Sequence, residues 1–288
     1  MPVDLKISAD RFETESWRIG YHQLKSNLQA GENMKLMRNL TLIGGLVFLS
    51  LALGLIFQIP IATSLWPWQD GRLSYLFIGS ILTAVSAAAL WIGWTGELGA
   101  FPAGSLNILV IAATTSFYFF QLALREGRSN MIPFGIMALL MAIASGVSFL
   151  WSGQIPPGDS RPTPLLVKVS FGIFIAVLIL AGGALIFRMP IFPWDLNPDS
   201  SVIFGCIFLG DAFYFLHGLL YPRWHNALGQ LLSFLAYDLV LIVPLISLFK
   251  TVQPEYRLNL VVYVGVLIYS GALAIYYLFV SPQTRFGS

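Results

Sequence analysis

VKVSFGIFIAVLILAGGALIF, residues 167–187, carries one charged side chain, Lys168, and that lies in its first turn. Wound as an α-helix at 1.5 Å per residue, the stretch is about 31 Å long, which matches the hydrocarbon core of a bilayer. Seven further apolar runs of this kind occur at about 40–59, 74–95, 105–124, 131–152, 202–221, 228–249 and 258–280. Each predicts a spanning helix. The short connection Arg125 to Asn130, with Pro133 just beyond it, predicts a tight hairpin between the third and fourth spans. Eight spans return the chain to its starting side.

Composition agrees. Of 288 residues, 57% are hydrophobic and 10% charged, against about 25% charged in an ordinary soluble domain. The net charge of +2 and the scattered basic residues exclude a nucleic-acid partner. Cys206 is the only cysteine, so neither an internal disulfide nor a cysteine-based metal site can be assembled. No cofactor is expected.

Residues 1–38 are polar, and no cleaved signal is expected there. Six basic residues, Lys6, Arg11, Arg18, Lys25, Lys35 and Arg38, precede the first span and place both termini in the cytoplasm of a multi-pass cell-membrane protein. The other ten basic residues divide four inside and six outside, so the orientation rests on the N-terminal segment. Asp10 and Glu13 have capping-box spacing, and Trp17, Tyr21, Leu24 and Leu28 share a helical face. An amphipathic cytoplasmic helix follows, lying on the membrane with Lys25 toward the headgroups or packing against a partner.

The two halves echo each other. Ile56-Phe57-x-x-Pro60-Ile61 recurs as Ile186-Phe187-x-x-Pro190-Ile191, an offset of 130. Trp66-Pro67-Trp68 recurs as Phe192-Pro193-Trp194 at an offset of 126, which continues through Ser74 with Ser200 and Gly79 with Gly205. The expected fold is thus an all-α integral membrane protein. It has a cytoplasmic segment (1–38), a four-helix repeat (39–152), a linker (153–166) and a second four-helix repeat (167–288). An even number of spans per unit makes the repeats parallel. An interfacial aromatic belt would also account for the aromatic-Pro-Trp motif.

Phe192-Pro-Trp-Asp-Leu-Asn-Pro198-Asp-Ser-Ser resembles a loop of uncharacterised bacterial multi-spanning membrane proteins, in which an aromatic-Pro-Trp-x-Leu-x-Pro stretch precedes a helix. The resemblance implies a polytopic membrane protein and no particular activity. In this loop Asp199, Ser200 or Ser201 can cap the sixth helix while Trp194 anchors its outer end.

Twelve of the fourteen acidic residues sit where water can reach them; Asp211 and Asp238, near the middle of the sixth and seventh spans, do not. Asp211 lies thirteen residues before Trp224 and Asp238 thirteen after His225, so about the intervening turn the two carboxyls share a depth. Helix rotation decides whether they face each other and share a proton. An ionised carboxylate at the bilayer centre costs about 2.5–3.5 kcal/mol on insertion scales, so both need partners or water. They are the candidate ion- or proton-binding residues, with Tyr214 and Tyr237 as hydrogen-bond donors. The alternative is that each aspartate bonds a neighbouring helix and serves packing alone. Val85 and Ala112 stand at the aligned positions of the first half, which disfavours matching sites in both halves.

His217 and His225 could suggest haem or metal ligation, but without further ligands interfacial hydrogen bonding is the better reading. No Walker lysine loop, His-Glu-x-x-His or Gly-x-Ser-x-Gly occurs, which lowers the case for an enzyme. A membrane-embedded acid-base pair would require the two carboxyls to face each other. Two functions lead, with the intramembrane enzyme as a third reading: a small transporter or ion-coupled protein with a mid-membrane carboxylate site, or a non-catalytic structural or assembly subunit that docks on partner membrane subunits. A cavity reaching the aspartates favours the first; dry helix contacts favour the second.

Overall fold

The computed structural model describes residues 31–286. The amphipathic segment expected from Asp10 to Leu28 lies outside the described residues. Among those described, eight helices are long and apolar enough to cross a membrane. They are α1 (Gly31–Ile56), α2 (Arg72–Thr95), α3 (Phe101–Arg125), α4 (Ile132–Ser152), α5 (Leu165–Ile186), α6 (Pro198–Leu220), α7 (Trp224–Leu248) and α8 (Arg257–Ile275). This is the all-helical architecture of a multi-pass membrane protein. Its outer surface fits lipid: Met137, Leu140, Val147 and Leu150 on α4 are each more than 60% exposed. In water such a surface would be an aggregation site.

Small residues let consecutive helices pack as antiparallel pairs. A Cβ on Gly93 of α2 would lie 2.6 Å from Leu42 Cγ of α1, and one on Gly205 of α6 would lie 2.6 Å from the Gly182 carbonyl oxygen of α5. Without a hydrophobic drive between helices in lipid, such close approach supplies much of the packing. The α3–α4 hairpin is as tight as its short connection predicts, with Gly127 at φ +69° and Ser116 Oγ donating to the Gly135 carbonyl at 2.8 Å.

Four helix starts lie well ahead of the apolar runs: α3 and α7 begin at Phe101 and Trp224 against the expected 105 and 228, and the starts of α1 and α6 add polar contacts. The α1 helix is already formed at Gly31, the first described residue, ahead of the expected 40, so Arg38 is helical. Its Nε and Nη2 donate to the carbonyls of Gly93 and Trp94, both at 2.7 Å. These are end groups of α2, where a cation also suits the helix dipole. The α6 helix begins at Pro198, ahead of the expected 202, and its cap is Asn197, whose Oδ1 accepts from the Asp199 amide at 2.9 Å. Asp199 is therefore not the cap. It accepts from Tyr118 Oη on α3 at 2.7 Å and from Arg128 Nη1 at 2.7 Å, with Arg188 at 3.6 Å. Nearby, the Ser200 hydroxyl and Trp66 Nε1 donate to Asp70, and Trp194 Nε1 donates to Ser74 Oγ, so the two aromatic-Pro-Trp loops brace each other's halves.

At the opposite end the linker between α4 and α5 ties three connections together. The Gly158 amide donates to Glu97 Oε1 at 2.7 Å, the Thr163 amide to the Pro222 carbonyl at 3.0 Å, and Arg161 Nη1 to the Gln283 carbonyl at 3.0 Å. His225 Nδ1 lies 2.8 Å from the Asp159 carbonyl oxygen. A carbonyl only accepts, so that nitrogen carries the proton. This is the hydrogen-bonding role expected of an interfacial histidine.

Bonding to the Arg161 guanidinium, 2.7 Å away, outweighs burial and holds the Asp159 carboxyl below its ordinary 3.8. A depressed acid stabilises the fold above its unfolded pKa and loses that contribution as pH falls through the folded one. Thermal midpoints in detergent should thus fall as the pH is taken below 3.8, and Asp159→Asn should flatten that fall. An unchanged acid limb in the variant would detach Asp159 from the stability of the linker.

Candidate functional site

Helices α2, α3, α6 and α7 form the inner bundle, but the chain-adjacent α6 and α7 are not its tightest pair. The α7 helix lies on α2, where Ser233 Oγ donates to the Ala84 carbonyl at 3.1 Å. The α6 helix lies on α3, where Gly210 is needed: a Cβ there would fall 2.3 Å from Ile111 Cγ1 and 2.9 Å from the Asn107 carbonyl oxygen. The α6 and α7 helices converge toward their shared turn. There Gln230 Nε2 donates to the Tyr214 carbonyl at 2.5 Å, and the rings of Phe215 and Phe234 stack with centroids 4.6 Å apart.

Beyond that convergence the helices border a half-open cavity of about 700 Å³ to which all eight contribute. Its lining runs from Met37 and Phe101, near the starts of α1 and α3, to Leu258 and Asn259, near the start of α8. The size falls among those of ordinary small-ligand sites, roughly 300–1,000 Å³. Most of the wall is aliphatic or aromatic.

Of the four residues expected to form a site, three reach this cavity: Asp211, Tyr214 and Tyr237. Asp211 is half-buried, and its Oδ1 accepts from Asn107 Nδ2 of α3 at 2.8 Å. Its Oδ2 takes no hydrogen bond from the described residues. Asn107 is itself buried, and its Oδ1 is left without a partner. Tyr237 and Tyr263 of α8 share a hydrogen bond between their hydroxyls at the wall.

Asp238 is placed differently. It is 4% exposed, does not line the cavity, and accepts through Oδ2 from Ser270 Oγ of α8 at 2.8 Å, while its Oδ1 has no partner. The two carboxyls thus bond different helices and do not bond each other. The facing geometry required of an acid-base pair is not formed, because α7 turns Asp238 toward α8 while α6 turns Asp211 toward α3.

Asn107 and Ser270 are the polar partners that sequence reading passed over. Asn107 stood near the start of the third span without a role, and Ser270 is one of several serines that membrane helices accommodate at little cost. Their only signal is that a buried carboxylate requires some donor.

Comparison with protein families, with curated proteins and with solved structures finds no match for the chain. The functional reading therefore comes from the site's own chemistry.

Proposed function

We propose that this protein is a small membrane transporter whose ligand is held at mid-depth in the cavity, with Asp211 as its polar anchor. One observation carries the reading: a carboxylate in the middle of a spanning helix borders a cavity of about 700 Å³, and one of its oxygens takes no donor from the described residues. Such a group is costly in a membrane. A purely structural role would bury it against a neighbour, as Asp238 is buried against Ser270. Tyr214 and Tyr237 add hydroxyl donors to the wall, and a proton at Asp211 supplies the coupling ion.

The transporter is built from two parallel repeats, 39–152 and 167–288, joined by the 153–166 linker. Equivalent residues in equivalent roles support this. Gln58 and Arg188, 130 apart, are non-glycine residues with positive φ (54° and 59°) just past α1 and α5. A Cβ on Gly79 would meet Ile56 Cγ1 at 2.7 Å and the Ala52 carbonyl at 3.2 Å. One on Gly205 would meet Ile186 Cγ1 at 2.7 Å and the Gly182 carbonyl at 2.6 Å. The cavity then lies between the halves, and the basic N-terminal segment keeps both ends of the chain cytoplasmic.

Water access tests the reading. In a Cys206→Ser background, Val85→Cys puts a thiol on the cavity wall, and Ala52→Cys puts one in a buried helix contact. A membrane-impermeant maleimide should label position 85 in sealed vesicles from at least one side and leave position 52 unlabelled. Failure to label position 85 from either side would end the transport reading and favour a structural subunit.

A further inference from the structure

We infer that the ligand of this cavity is a lipophilic amine in its ammonium form, seated with its N–H groups between Asp211 and Asn107; the inference rests on the cavity being a ligand site.

Charge comes first. Among the described residues of the wall Asp211 carries the one carboxyl group, and no lysine, arginine or histidine lines it. A low-dielectric cavity with a single carboxylate and no nearby base attracts cations and repels anions.

Hydrogen-bond inventory comes second. Asn107 spends its amide on Asp211 Oδ1 at 2.8 Å. Two acceptors then take no donor from the described residues: the buried Asn107 Oδ1, and Asp211 Oδ2, since Asn107 bonds only Oδ1. A buried acceptor without a donor is destabilised, so a ligand bringing N–H groups gains where one bringing further acceptors loses. An ammonium with two or three protons suits this pair; a carboxylate, phosphate or ether has nothing to give it.

The walls come third. Phe208, Tyr214 and Phe215 flank Asp211 on α6, and Phe234 and Tyr237 approach from α7, all lining the cavity. Ring faces attract cations, and more strongly where water is excluded. The remaining wall, through Val85, Ile108 and Val177, is aliphatic and takes a hydrocarbon body. A bare metal ion fits poorly, because no group of three or more potential metal ligands occurs among the described residues.

The test uses two probes with one carbon skeleton and opposite charge, radiolabelled 4-phenylbutylamine and 4-phenylbutanoate, on the full chain in nanodiscs with empty discs subtracted. The amine should bind at least ten-fold tighter than the acid. Asp211→Asn should reduce that preference to less than three-fold, and Val85→Trp, which fills the cavity from α2, should remove binding of both. Equal binding of amine and acid, or no binding of the amine, overturns the inference. The label at position 85 then separates the two failures. A labelled cavity that ignores the amine keeps the ligand-site reading and loses only the ligand class, whereas an unlabelled one loses both.

Discussion

Replacing Gly205 with leucine is expected to separate α5 from α6 and to leave little folded protein. A Cβ at this position falls 2.6 Å from the Gly182 carbonyl oxygen, 2.9 Å from the Ile186 amide nitrogen and 2.7 Å from Ile186 Cγ1. Two of the three are backbone atoms, which cannot rotate away, so the helices themselves must move apart. Overpacking of this kind costs about 1–3 kcal/mol when neighbours can adjust. Alanine should fall at the upper end of that range, and leucine beyond it. The equivalent contact at Gly79 is looser, with the Ala52 carbonyl at 3.2 Å and the Ile56 nitrogen at 3.4 Å, so Gly79→Ala should cost less than Gly205→Ala. Gly172 and Gly183 have nothing within 4 Å of a Cβ. Alanine at either should be neutral or stabilise by up to about 1 kcal/mol through helix propensity. Thermal midpoints of the detergent-solubilised variants, followed by size-exclusion chromatography, give the ranking. A Gly205→Leu protein that melts with the wild type would refute the α5–α6 crossing.

These contacts show what a sequence of this kind discloses. The eight spans were legible because a bilayer imposes one length on every crossing and tolerates few charges within it. Charges at the edges were harder to place, since a helix can carry Arg38 past the end of its apolar run once the carbonyls of Gly93 and Trp94 accept its protons. Asp211 and Asp238 were legible as residues that require partners, for the same reason of cost. Which partners they take was not, because rotation about the helix axis leaves no trace in a helix that is apolar all round. Tyr214 and Tyr237, near the two aspartates in sequence, do line the cavity. Asn107, 104 residues from Asp211, is the donor that bonds its carboxyl, and only the α3–α6 crossing brings it there. The crossing depends in turn on Gly210, whose missing side chain lets Asn107 and Ile111 approach. In sequence it reads as one glycine among 26.

Ser270→Ala is expected to destabilise the fold by about 1–3 kcal/mol, the cost of leaving a buried polar group without its partner. The Ser270 hydroxyl lies 2.8 Å from Asp238 Oδ2 and 2.8 Å from the Val266 carbonyl of its own helix. It has one proton and cannot serve both at once. Asp238 Oδ1 already lacks a partner, and with alanine at position 270 neither oxygen would have one. Asp238→Asn should do the reverse. Its amide can donate to the Ser270 oxygen, freeing that hydroxyl for Val266, so the thermal midpoint should hold or rise. Combining Ser270→Ala with Asp238→Leu removes both polar partners and should recover part of the loss, as the replacement of a whole buried pair often does. The same variants assign the two carboxyls to their roles. A packing residue changes stability and leaves ligand selectivity alone, so Asp238→Asn should retain the amine preference that Asp211→Asn loses. Loss of that preference in Asp238→Asn would mean that charge at both positions is felt by the ligand, and that α7 and α8 belong to the site as fully as α3 and α6.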